Sequence, residues 1–180
     1  MSALRLINET LTQSGFVNQV SIADVFTSDF DIYKVVVSNF DYENADTNVI
    51  DLRPRFINSS GSTITSSNYD SARLTLKAET TFDNDRFTNL GYMYGSALFG
   101  TYDNAGAVLY IFNPTNSNSY TFMLGQGAGG YDTANNRFRG AKQIGILKQT
   151  NSITGINFVS SSASLNFKCD IRTYGLRVDS

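Results

Sequence analysis

The sequence contains no histidine, and this absence removes several kinds of chemistry. Its 180 residues also include no tryptophan, only two prolines and only one cysteine. Histidine is the commonest general base and metal ligand, and the usual partner of a serine or cysteine nucleophile. A hydrolase built on this chain would have to use two carboxylates instead. We therefore expect a protein that is not an enzyme, with no catalytic residue, no metal and no cofactor.

Cysteine and long apolar runs are equally scarce. Cys169 has no second cysteine to pair with, and its place on the apolar side of an alternating segment predicts a buried side chain. No run reaches the roughly 18 apolar residues of a membrane span, and the first residues lack the pattern of a signal peptide. The net charge is −2. We therefore expect neither nucleic acid nor a membrane as a partner.

Short segments of strand-like character recur along the whole chain, separated by Gly, Asn, Asp and Ser. No apolar stripe with helical spacing exceeds two turns. Residues 72–79 alternate cleanly between apolar and polar, whereas residues 32–38 and 108–112 are apolar on both sides and predict central strands. The predicted strands are residues 3–7, 18–22, 32–38, 50–57, 72–79, 91–99, 107–112, 119–124, 142–149, 153–159 and 165–178. The pattern predicts one all-β domain over residues 1–180, an antiparallel β-sandwich of the jelly-roll type.

The C-terminal segment alternates and then changes phase. Its apolar residues are odd-numbered over 165–171 and even-numbered over 174–178. A change of parity indicates a bulge or a change of partner sheet. We expect a bulge or bend at residues 173–175, so that Tyr174, Leu176 and Val178 pack on a different surface from the earlier residues.

Four other segments lead to local expectations. Pro54 lies inside a predicted strand, so that strand is at an edge or is interrupted there. The glycine-rich residues 125–130 lack the helix that a phosphate-binding loop requires, and they predict a long surface loop over 125–141. Residues 83–85, Asp-Asn-Asp, offer oxygen ligands for calcium but lack the rest of a calcium loop, which favours a turn. Residues 58–62, 102–106 and 113–118 predict hairpin turns.

Aromatic residues are abundant, with 13 Phe and 10 Tyr, and they concentrate in the middle of the chain. The structural interpretation is that Phe fills the core and Tyr lies at its margins. The functional interpretation is a contact surface for protein or sugar, because tyrosine is enriched at both kinds of site. The candidate contact residues are Tyr92, Tyr94, Tyr102, Tyr120 and Tyr131.

Six groups of strand and turn residues extend over nearly the whole chain. They are residues 3–10, 30–37, 55–61, 111–114 with 119–122, 152–158 and 171–178. In this order they resemble the small jelly-roll virion proteins of tailed bacteriophages, especially those of marine and cyanobacterial hosts. None of the groups is a catalytic signature. The resemblance implies a jelly-roll subunit, often a homotrimer, that is displayed on the head or tail of the virion.

Two functions follow from this resemblance. The first is a non-enzymatic structural subunit, either a capsid decoration (cement) protein or a tail appendage, which stabilises the particle through contacts with its own copies and with other virion proteins. The second is a receptor- or carbohydrate-binding module of a tail fibre, which would contact a host surface glycan. Both functions place the protein in the virion after synthesis in the host cytoplasm.

Overall fold

A computed structural model describes residues 3–11, 15–43, 50–78, 82–93, 96–100, 105–132, 137–161 and 166–177. These residues form twelve strands. The strands are β1 (Ala3–Leu11), β2 (Gln19–Ile22), β3 (Ile32–Tyr42), β4 (Ile50–Asn58), β5 (Tyr69–Lys77), β6 (Asp83–Leu90), β7 (Ser96–Gly100), β8 (Ala105–Phe112), β9 (Thr121–Asp132), β10 (Arg137–Leu147), β11 (Ile153–Ser160) and β12 (Phe167–Arg177). The described residues include no apolar helix of membrane-spanning length.

The strands make two antiparallel sheets, which confirms the predicted all-β sandwich. The larger sheet has the order β1-β12-β3-β8-β9-β10-β5-β6, and the smaller has the order β2-β11-β4-β7. Four pairs are nested in the chain: β1 with β12, β2 with β11, β3 with β8 and β4 with β7. The remaining strands, β5, β6, β9 and β10, widen the larger sheet beyond β8. As the sequence predicts, β3 and β8 are central strands.

The core lies between the two sheets. Tyr33 and Leu109 from the larger sheet and Phe56 and Phe158 from the smaller sheet belong to one cluster of almost completely buried side chains. Tyr69 in β5 also joins the sheets directly, because its hydroxyl accepts a hydrogen bond from the Phe56 N–H at 2.9 Å. The same hydroxyl donates to the Ile64 carbonyl at 3.1 Å. Burial raises the pKa of this hydroxyl, which therefore stays protonated as a donor.

Strand β12 does not bulge at residues 173–175, so that prediction is wrong. Its pairing with β3 is continuous from Asp170 to Leu176, and every odd-numbered residue from 167 to 175 is buried. The irregularity beside this stretch lies in the partner strand β1, between Leu6 and Asn8. Tyr174 and Leu176 do face a different surface from Ile171, but they do so by ordinary alternation. Residue 178 lies outside the described residues.

The apparent change of phase arises because small or polar residues occupy two core-facing positions of β12. Thr173 and Gly175 are both buried on the inner face. A Cβ atom at residue 175 would lie 2.5 Å from carbon atoms of the Phe30 ring. The aromatic ring of Phe30 thus fills the space that a side chain at residue 175 would otherwise occupy. Cys169 on the same face is buried, as predicted.

The glycine-rich segment is not a loop. Strand β9 extends through Asp132 and β10 begins at Arg137, so most of residues 125–141 belongs to one long hairpin. Gly125 is glycine for a packing reason, because a Cβ atom there would lie 2.8 Å from the Leu109 side chain and 3.0 Å from Gln143. Close packing, rather than flexibility, accounts for this glycine.

The local expectations at Pro54 and at the turns have mixed outcomes. Strand β4 is not interrupted at Pro54, which pairs with Phe158 of β11, but its ladder with β7 ends at Leu52, so that on this side Pro54 lies at an edge. Residues 58–62 form the predicted turn, in which the Asn58 Oδ1 accepts from the Ser60 N–H, and residues 113–118 join the paired strands β8 and β9. The hairpin expected at residues 102–106 is wrong, because β7 and β8 belong to different sheets.

We expect Gly175→Ala to lower the free energy of unfolding by about 1–3 kcal/mol, because the added methyl group overpacks the core against Phe30. Urea denaturation measures the change. The matched control is Gly15→Ala, where an added Cβ meets no atom within 4 Å. Equal effects at the two positions would contradict the packing explanation.

Candidate interaction surface

Strand β5 directs its two leucines outward, although Tyr69 at its start is buried. Leu74 and Leu76 are 43% and 45% exposed, whereas Thr75 between them is only 3% exposed. The Arg73 side chain, which is also on the inner side, is 12% exposed. The alternation over residues 72–79 therefore separates the two faces of the strand correctly, but it does not reveal that the polar face is the buried one.

Apolar side chains continue from β10 to β1 across the outer face of the larger sheet, in two rows of residues paired in register. The first row contains Ile146, Phe122, Phe112, Ile32, Leu176 and Leu4, and the second contains Ile144, Leu124, Tyr110, Lys34, Tyr174 and Leu6. We call these two rows the apolar band. Toward its ends the side chains are well exposed: 59% for Ile144 and 51% for Leu6. Isolated apolar residues are common on protein surfaces, but a contiguous band across six strands is typical of an interaction site.

The band adjoins a shallow groove of about 560 Å³ beside β5 and β6. Phe112, Phe122 and Ile144 supply much of its apolar lining, and Asp70 and Arg86 also line it. Hydrogen bonds from the Lys148 side chain and the Asn89 N–H lower the pKa of Asp70, so that its carboxylate is stabilised at neutral pH. The groove therefore combines an apolar floor with charged groups.

The inner face near β5 and β6 contains buried charge. The Arg73 guanidinium contacts Asp51 of the smaller sheet at 3.3 Å and Asp85 of β6 at 2.8 Å. Burial raises the pKa of the Asp51 carboxyl, although Arg73 and then Arg53 oppose this effect. Gln143 is 2% exposed, and within the described residues neither atom of its amide group has a hydrogen-bond partner. This part of the sandwich is held by an ion-pair network rather than by apolar packing.

Residues 83–85 are not a turn. They begin strand β6, where Asp83 forms an ion pair with Lys77 and Asp85 forms one with Arg73. Sequence analysis did not predict this strand because acidic residues are not typical of strands. Their cationic partners lie in β5, where Arg73 is directly opposite Asp85 and Lys77 is diagonal to Asp83. In the described part of the chain, no cluster of three or more acidic, cysteine or histidine side chains is arranged to hold a metal ion.

Two of the five candidate tyrosines have described side chains. Tyr92 follows β6, and its ring is stacked against Arg53, whose guanidinium carbon lies 4.4 Å from the ring centroid. Tyr120 precedes β9 and is 44% exposed. Strands β10 and β5 separate β9 from β6, so the backbones of β9 and β6 are about 14 Å apart across the sheet.

The side chains of the other three candidate tyrosines lie outside the described part of the structure. Tyr131 belongs to β9, where its backbone pairs with Phe138, and Tyr94 and Tyr102 lie outside the described residues. The tyrosines therefore do not define the surface. The apolar band defines it, and of the candidate residues only Tyr120 is described as exposed beside it.

The chain has no match among models of known protein families or among functionally curated proteins.

We expect Asp51→Asn to change how stability depends on pH. Because burial raises the pKa of Asp51 in the folded state above its ordinary 3.8, the contribution of this carboxyl to wild-type stability should fall as pH rises from below 3.8 and the carboxyl ionises. Asparagine cannot ionise, so the unfolding free energy of the variant minus that of the wild type should increase over the same range. Urea titrations at a series of pH values measure this difference, and Asp29→Asn is the exposed control. Parallel curves for Asp51→Asn and the wild type would contradict the assignment.

We expect Ile144→Ser to reduce retention on a phenyl resin while changing the free energy of unfolding by less than about 1 kcal/mol, because the side chain is already exposed. The matched variant, Ile111→Ser, alters a core residue that is 0% exposed. It should lose on the order of 2–5 kcal/mol. A large loss of stability for Ile144→Ser would mean that the apolar band is covered in the folded chain.

Proposed function

We propose that this protein is a non-enzymatic structural subunit of a tailed-bacteriophage virion, either a capsid decoration protein or a tail appendage. The observation that carries the proposal is the apolar band, a broad surface suited to contact with other protein chains. Such a subunit acts by burying complementary surface between its copies and the particle. A standard interface of about 1,600 Å² in total, repeated many times, stiffens a shell.

The strand order supports the fold that this role implies. Two Greek keys folded over one another form a jelly roll of eight strands in two sheets. Here the nested pairs β1/β12, β2/β11, β3/β8 and β4/β7 give the four-strand orders β1-β12-β3-β8 and β2-β11-β4-β7. We propose that these eight strands are the jelly roll, and that β5–β6 and β9–β10 are hairpins inserted into it.

The segments that resemble the phage proteins fall mainly on this proposed jelly roll. Residues 3–10 lie in β1, 30–37 include the start of β3, and 152–158 include most of β11. Residues 119–122 are the exception, because they lead into β9. The resemblance thus concerns the eight nested strands more than the inserted hairpins, which supply part of the apolar band.

The proposal predicts that the chain is a component of the mature particle. Mass spectrometry of gradient-purified virions should detect it in stoichiometric amounts, and electron cryomicroscopy should reveal it on the head or tail surface. Particles that lack the gene should lose infectivity faster on heating or osmotic shock, because they lack the stabilising contacts. Its absence from the washed particles, with infectivity and heat resistance unchanged, would refute the structural role.

The exposed Tyr120, two residues before Phe122 of the groove lining, favours the second candidate, glycan binding on a host surface. In that case a glycan array should give a signal that Tyr120→Ala removes. Tyr92→Ala is the control and should leave the glycan signal unchanged, because the ring of Tyr92 is stacked against Arg53.

The homotrimer that the resemblance implies remains a prediction, to be measured on the same purified protein.

A further inference from the structure

We propose that the apolar band joins two copies of this chain face to face, about a two-fold axis parallel to the strands and between β3 and β8. The inference deepens the proposed function, on which it rests, by naming the partner of the band as a second copy. In this arrangement β8 lies over β3 of the partner, β9 over β12, and β10 over β1. A two-fold axis makes each contact occur twice.

The size of the face supports a stable contact. Six strands spaced by about 4.8 Å span about 29 Å, and three rows of outward-facing residues about 6.8 Å apart span about 20 Å. The flat area is therefore on the order of 600 Å², and protruding side chains increase the accessible area above this value. A standard interface buries about 800 Å² from each partner. The face therefore has about the area that a specific dimer needs.

The two apolar rows complement themselves under this symmetry. The two-fold rotation leaves each row at the same position along the axis and reverses the order of its residues across the sheet. In the first row, Phe112 then faces Ile32 of the second copy, and Phe122 faces Leu176. In the second row, Leu124 faces Tyr174. The register thus sets aromatic side chains against aliphatic ones across the dimer, a combination that packs without crowding two rings together.

The charged residues complement themselves as well. Lys34, the one charged residue within the apolar band, faces Tyr110 of the second copy, where a cation–π contact satisfies its charge. A third row borders the band and contains Lys142, Gln126, Val108, Val36, Arg172 and Glu9, again paired in register. The symmetry sets Lys142 of one copy against Glu9 of the other, where Glu9 already forms an ion pair with Arg172 of its own chain at 2.6 Å. It also sets Gln126 against Arg172. The long side chains of Lys142 and Glu9 can bridge the offset that the twist of packed sheets introduces.

Self-association explains the face better than a small ligand does. The groove occupies only the β5–β6 side of the face, whereas the apolar band extends to the opposite edge at Leu4 and Leu6. A ligand in the groove would leave those two leucines exposed. A second copy of the chain covers both ends equally and brings opposite charges together at the border.

A charge-swap experiment tests this register. Sedimentation velocity at low salt should show a dimer of the wild-type chain. Lys142→Glu and Glu9→Lys should each weaken the dimer about tenfold or more, because each creates two like-charge contacts per dimer. The double variant should bind at least about threefold more tightly than either single variant, because it restores opposite charges at this contact even though Glu9→Lys also removes the ion pair with Arg172. The weakening by the single variants should diminish at high salt. Gln19→Lys, exposed on β2 of the other sheet, is the control and should leave the dimer unchanged.

The outcomes separate this inference from the proposed function. A monomeric wild type, the homotrimer that the resemblance implies, or an oligomer that ignores both charge reversals would overturn the two-fold interface, even if the chain is found in virions. Weakened single variants with a restored double variant would support the interface even if virions lacked the chain. Circular dichroism of each variant checks that it is folded, and Ile144→Lys provides a second disruption of the dimer that does not involve the Glu9–Arg172 ion pair.

Discussion

The structure depends on the packing of a narrow sheet against one face of a much wider sheet. Four strands cover part of an eight-stranded sheet, and the cluster that includes Tyr33, Phe56 and Phe158 fills the space between them. At the margin of this cover, beside β5, burial is achieved differently. Arg73, held between Asp51 and Asp85, replaces apolar packing there. The mismatch in width accounts both for the buried ion pairs and for the inverted polarity of β5.

The same mismatch limits what the sequence alone could predict. Alternation over residues 165–171 identified a core strand because local pattern and tertiary environment agree there. At Gly175 they disagree, since the ring that fills the position comes from Phe30, which is distant in the chain. Strand β6 was missed because the acidic residues that begin it depend on Lys77 and Arg73 in the neighbouring strand. In each of these cases the local structure depends on contacts between segments that are distant in the chain. A pattern of neighbouring residues cannot predict such contacts.

The candidate surface was even less predictable. Tyrosines were chosen because they are enriched at interfaces, but Tyr92 is stacked on Arg53. Apart from Lys34, the residues that form the apolar band are aliphatic and aromatic side chains at ordinary strand positions, identical in type to core residues. One signal was present: β3 and β8 are apolar on both faces. That pattern predicted central strands correctly, and it equally describes a strand whose second face meets another molecule.

The two borders of the wide sheet have a consequence for how large an assembly can grow. An unprotected edge strand recruits further strands through its free N–H and C=O groups, and sheets with such edges polymerise into fibres. Here β6 places Asp83, Asp85 and Arg86 along one edge, and β1 is irregular between Leu6 and Asn8 at the other. Charge and local distortion are the usual means of preventing such recruitment. Growth of this sheet along the hydrogen-bonding direction is therefore disfavoured, so that any assembly of this chain has to use the faces of the sheets rather than their edges.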